Sequence, residues 1–101
     1  MAVKLSREAE NGLYEAWMYA NDQFGTTVAD RVLDSIESAL KLLAARPEIG
    51  HFREDLAPKP WRFWSVGPSL IVYTRKQKNV WVAYIGRGER DWQLVFEDGS
   101  S

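Results

Sequence analysis

Four arginines, Arg62, Arg75, Arg87 and Arg90, stand on or just beyond a series of β-type runs in the second half of the chain. A guanidinium is a planar fork of donors that grips phosphate oxygens in pairs. Tyr73, Tyr84 and the nearby tryptophans are residue types that stack on bases. Read together, they are the chemistry of nucleic-acid or target binding. The competing reading is a set of solvated arginines pairing with Glu54, Asp55, Glu89 and Asp91. The sharpest local pattern is Gly86-Arg87-Gly88-Glu89-Arg90-Asp91. Its glycines permit tight backbone at a strand end, and a single helical turn can start near Asp91. It lacks the lysine and hydroxyl pair of a phosphate loop.

Catalytic and metal chemistry find little support. His51 is the only histidine. Imidazole titrates near neutrality, but His51 has no serine or aspartate partner at a recognisable spacing and reads as a surface loop residue. Glu8, Glu10, Glu15, Asp22, Asp30, Asp34 and Glu37 read as helix exteriors, and no pair has the spacing of a metal or glycosidase site. The chain has no cysteine, which excludes a disulfide framework and a cysteine-based zinc site. No catalytic residue, metal or cofactor is expected. The formal net charge of −1 lacks the cationic excess of a dedicated nucleic-acid binder, although local clustering matters more than the sum. Five tryptophans are available as anchors. Trp61, Trp64 and Trp92, with Phe96, are the candidates for gripping a protein partner.

The elements that must position these groups follow from periodicity. At 101 residues, with 46% hydrophobic and 27% charged composition, the chain is expected to form one globular domain spanning 1–101. Val3 to Leu5 suits a short strand. Ser6 then suits a helix N-cap, with Glu8 in the first turn. Leu13, Ala16, Trp17, Ala20 and Phe24 form an apolar stripe; Gly12 weakens this helix, and Gly25 suits its left-handed end. Thr27 is read as the cap of a second helix, with Asp30 as its capping-box partner, and Val32, Ile36, Ala39, Leu40 and Leu43 as its apolar face. Pro47 ends it. The short connection predicts an antiparallel helical hairpin. Residues 47–60 read as a loop. Trp61–Val66, Ser69–Arg75 and Val80–Ile85 read as three strands joined by tight turns at Gly67-Pro68 and Gln77-Lys78-Asn79, an antiparallel meander. Leu70 and Val72 should face one way, Ile71 and Tyr73 the other. One face should hold the hairpin; the other needs cover, from Asp91–Phe96 or from another protein. The class is α+β: a short N-terminal strand, a two-helix hairpin on a three-stranded meander, and a short C-terminal helix or tail. No apolar run is long enough to cross a bilayer, and Met1–Leu5 lacks a signal-peptide core, so a cytoplasmic location is expected.

The order of these patterns resembles the RelE/ParE toxin superfamily. The stretches that carry the likeness are Tyr19–Gly25, Leu42-Leu43-Ala44-Ala45-Arg46-Pro47-Glu48-Ile49-Gly50, Trp61-Arg62-Phe63-Trp64, Leu70-Ile71-Val72-Tyr73, and Ile85 through Trp92. The resemblance implies one of two activities. One branch resembles ribosome-dependent mRNA endonucleases that use basic residues and often a C-terminal tyrosine. The other, ParE-like, branch poisons DNA gyrase. The runs Leu43–Gly50 and Gly86–Asp91 look ParE-like. Ser65 stands where the nucleases carry a basic strand residue, Gly88 stands near their strand-end arginine (with Arg87 and Arg90 close by), and Leu94 and Phe96 replace the tyrosine. The implied partners are a cognate ParD-like antitoxin and DNA gyrase, in a toxin–antitoxin hetero-oligomer. Ribosome and mRNA are the alternative targets, and a non-toxic interaction module on the same fold is a third reading.

Overall fold

A computed structural model describes residues 2–87. In chain order the elements are β1 (Ala2–Leu5), α1 (Arg7–Phe24), α2 (Thr26–Ala45), β2 (His51–Phe52), β3 (Arg62–Val66), β4 (Ser69–Lys76) and β5 (Asn79–Arg87). The expected α+β hairpin-on-meander architecture is present. The sheet is larger than a three-stranded meander: its order is β1-β5-β4-β3-β2, with β1 added parallel to β5. The residues expected to form a C-terminal helix or tail lie outside the described residues.

Ser6 joins three of these elements. Its backbone N–H donates to Val82 O at 2.9 Å and extends the β1–β5 ladder. Its hydroxyl accepts from Ala9 N at 3.0 Å, the N-cap bond that starts α1, and donates to Ala83 O at 2.7 Å. Ala83 is itself irregular. Val72 pairs with Tyr84 but Tyr73 pairs with Val82, so Ala83 is the extra residue of a β-bulge. The bulge has a packing consequence. Val80, Val82 and Ile85 all reach the core under the helices, which strict alternation forbids, while Tyr84 turns to the other face.

The helical connection is a single residue. Gly25 ends α1, with its N–H on Asn21 O at 3.0 Å, and starts α2, with its carbonyl accepting from Ala29 N at 3.0 Å. Its φ of +94° is backbone that side-chain-bearing residues avoid. The expected Thr27 cap is therefore corrected: α2 starts at Thr26 with no side-chain cap. Asp30, assigned to that cap, instead accepts from Trp17 Nε1 at 3.0 Å and ties the two helices together.

The two sheet faces divide as the alternation predicts. Ile71 and Tyr73 join Ile36, Leu40, Leu43, Val80, Val82 and Ile85 beneath the hairpin. Leu70 and Val72 face away, with Phe63 and Tyr84. The outer cover comes from the segment between β2 and β3, read from sequence as plain loop. Its turn, with Leu56 N and Ala57 N on Arg53 O at 2.8 and 2.9 Å, brings Leu56, Ala57 and Trp61 onto Phe63 and Val72.

Gly12 sets how closely the hairpin lies on the sheet. A Cβ built there would run into the backbone carbonyl of Ile85. Helix propensity alone says that Gly12→Ala gains about 1 kcal/mol. The contact reverses the sign, because the atom met is strand backbone and not the far end of a flexible side chain, and overpacking of this kind costs about 1–3 kcal/mol. Gly12→Ala is expected to lower the urea midpoint by the equivalent of about 2 kcal/mol; a raised midpoint would show that α1 does not rest on Ile85.

Candidate protein-docking site

The arginines expected to work together are not gathered. Arg62 lies opposite Tyr73 on β3–β4, Arg87 opposite Ser69, and Arg75 opposite Val80. Six residues of strand separate Ser69 from Arg75, roughly 20 Å at ~3.3 Å per residue. Three guanidiniums spread along a sheet in this way do not converge on one phosphate. Arg90 lies outside the described residues.

Arg62 is committed to the fold. Its Nη1 donates to Gly50 O at 2.9 Å and Glu48 O at 3.2 Å, and its guanidinium stacks 4.1 Å from the Phe52 ring centre. Tyr73 shares the task. It is fully buried, which corrects the reading of this residue as a base-stacking group. Its hydroxyl donates to Pro47 O and accepts from Gly50 N–H, both at 2.8 Å. The Arg46-Pro47-Glu48-Ile49-Gly50 run is thus a loop held from below by a cross-strand Arg62–Tyr73 pair. Burial pushes the Tyr73 phenol above the usual range, against the lowering effect of the Gly50 N–H and the Arg62 charge.

The remaining aromatic candidates are divided. Trp61 and Trp64 are half-buried on opposite faces of the sheet, Trp61 in the outer cluster and Trp64 against the inner one. Trp64 also stacks on the exposed His51, with ring centres 6.2 Å apart. Trp92 and Phe96 lie outside the described residues. Among the described residues, no group of three or more metal-ligating side chains stands together, and no helix is long and apolar enough to cross a membrane.

Among the described residues, an apolar groove of about 590 Å³ lies between the hairpin and the sheet. Its floor is the small-residue face of α1, Gly12, Ala16 and Ala20, one helical turn apart. Val28 and Val32 of α2 form one wall. Pro68, Ser69, Tyr84 and Gly86 form the other. Tyr19, Phe24, Glu15 and Arg87 stand at its edge. The Arg87 guanidinium lies 4.7 Å from the Tyr19 ring centre, a cation–π contact that joins α1 to β5. Phe24, at 67% relative exposure, is an aromatic ring left largely in water. Arg87 and Tyr84, both singled out in the sequence, line the groove. Tyr19 and Phe24 are legible only as helix-stripe or helix-end residues, because nothing local says that they stand at the edge of a groove.

A two-helix hairpin on a five-stranded mixed sheet, with an apolar groove between the two, defines a small α+β domain. The family model for the ParE toxin of the type II toxin–antitoxin system parDE matches residues 3–92. Among solved structures, the chain is similar to one from the chromosomal ParDE toxin–antitoxin system of P. aeruginosa, with a TM-score of 0.76 and 21% identity over 88% of this chain and 97% of that one. No curated protein sequence matches. The chain belongs to the ParE toxin family of type II toxin–antitoxin systems.

Tyr73 gives a test of the loop. Tyr73→Phe leaves the buried Gly50 N–H and Pro47 carbonyl without their partner and should cost about 2–3 kcal/mol near neutral pH. The folded phenol ionises at higher pH than the unfolded one, so its contribution is present below ~10 and is lost as pH rises through the folded value. Urea titrations should therefore show wild-type stability falling more steeply above that pH than the stability of Y73F; parallel curves would contradict the latch.

Proposed function

We propose that the protein is a ParE-like toxin that acts by binding, with DNA gyrase as its target, and that a cognate ParD-like antitoxin neutralises it by laying a segment into the groove between hairpin and sheet. The observation that carries this reading is the groove itself, apolar in its floor and walls and rimmed by Tyr19, Phe24 and Arg87. An apolar face of this kind matches the helix-in-groove mode, in which an amphipathic segment orders on binding and inserts side chains at helical spacing. The antitoxin would bury Phe24 and leave the toxin in a hetero-oligomer.

A binding rather than catalytic mode is supported by the separation of the arginines and by the commitment of Arg62 to backbone carbonyls. A ribosome-dependent nuclease needs cationic groups converging on the scissile phosphate to stabilise its charge. With Arg62 and Arg87 at opposite ends of the β3–β4–β5 surface, that convergence is missing among the described residues. The family relation and the lack of a membrane-crossing helix among these residues fit a cytoplasmic encounter with gyrase.

Two measurements test the reading. Purified protein should inhibit gyrase supercoiling in a dose-dependent way and leave mRNA on translating ribosomes intact; unaffected gyrase at large excess, or mapped mRNA cuts, would overturn it. Phe24→Ala removes an exposed ring, so the fold should persist. Antitoxin affinity should nevertheless fall by about 10- to 100-fold, the loss typical of a central aromatic anchor. Unchanged affinity, read by calorimetry, would place the antitoxin elsewhere.

A further inference from the structure

The β1 edge of the sheet is open. Among the described residues, β1 pairs with β5 on one side and with no strand on the other. In a parallel ladder, alternate residues send their N–H and C=O groups to opposite sides. Half of the β1 backbone groups therefore face outward, with no proline or bulge to guard them. Lys4, the one charge in the strand, is in register with Trp81, which is itself exposed. Beside this edge, β1 and α2 frame a shallow cleft of about 410 Å³ whose apolar lining is Val3, Leu5, Leu40 and Ala44. Glu37 and Lys41 of α2 flank it, both exposed, and neither forms an ion pair among the described residues.

We propose that this edge is a contact between two copies of the chain, related by a two-fold axis, in which β1 pairs antiparallel with the second copy's β1. The charge pattern selects this occupant. Under a two-fold axis, residue i meets j and j meets i. An acid and a base one helical turn apart on α2 then face their opposites twice over, Glu37 against the second copy's Lys41 and Lys41 against its Glu37. The same operation covers the Val3–Leu5–Leu40 cleft and gives the outward β1 amides and carbonyls their partners. A four-residue edge with one helix stripe is a small interface, below the ~1,200 Å² of stable complexes, so the dimer is weak and concentration-dependent. Its lining shares no residue with that of the groove, and it rests on no part of the antitoxin reading.

Sedimentation equilibrium of the purified full chain across the micromolar range tests the contact. The wild type should show a dimer that weakens with added salt. Glu37→Lys and Lys41→Glu should each weaken it by about tenfold or more, because each turns two attractions into two repulsions. The double variant E37K/K41E should return the wild-type constant. These side chains are exposed, so circular dichroism should confirm that all three variants fold. A wild type that stays monomeric throughout, a dimer indifferent to either single change, or a double variant as weak as the singles overturns the proposal. So does a monomer whose E37K form loses antitoxin affinity, which assigns the edge to that partner instead.

Discussion

The seat of α1 on the backbone of β5 is the constraint on which the rest of the structure depends. At Gly12 a helix without a side chain meets the Ile85 carbonyl. Closeness there is possible only because the Ala83 bulge brings Ile85 under the helix and sends Tyr84 the other way. Ser6 fixes the same joint from the other end, its hydroxyl bonded at once to the first turn of α1 and to the bulged carbonyl. The helix is thereby pinned at its first half. Toward Phe24 the described part of the sheet reaches the Gly67-Pro68 turn and Arg87, and the space beside the hairpin there is the groove. Tight packing in one place and an unfilled apolar surface in another are two results of one geometry.

How much of this is legible in sequence depends on whether the cause is local. The Ser6 cap, the helical stripes and the division of Leu70/Val72 from Ile71/Tyr73 rest on interactions within a few residues, and each can be read directly. The bulge cannot: Val80, Val82 and Tyr84 look like one strand face until pairing with β4 inserts Ala83. The parallel β1–β5 pairing joins residues far apart in the chain and leaves no local mark. Gly12 illustrates the same limit, since as a helix residue it is only a weak spot and becomes a requirement once a strand lies below it. Residue type likewise misled at Tyr73 and Arg62. An arginine and a tyrosine on a sheet suggest nucleic-acid contact, yet here they hold the Pro47–Gly50 loop. Of the chosen site residues, Arg87 lies at the groove, while Trp61 and Trp64 are spent largely on the two cores.

The distribution of polar and apolar side chains supports the proposal that the protein acts by binding. Polar side chains are paired with one another or with backbone: Asp30 with Trp17, Arg53 with Asp55 and Lys59 with Glu54 on the surface, Arg62 with the loop carbonyls. Exposed apolar surface, by contrast, is concentrated on α1, where Tyr14, Met18, Tyr19 and Phe24 face water. Water against such a surface is unfavourable by roughly 25 cal/mol per Å². A partner that covers it gains that free energy.

The central claim is that the groove opened by the Gly12 seat is where the antitoxin lies. It is tested most directly by a methyl and aromatic NMR footprint of the chain on titration with the antitoxin. Shifts should cluster at Ala16, Ala20, Val28, Val32, Tyr19 and Phe24, with Leu70 and Val72 on the outer face unmoved. A footprint centred on Leu70, Val72 and Trp81, with the groove signals unchanged, would contradict it.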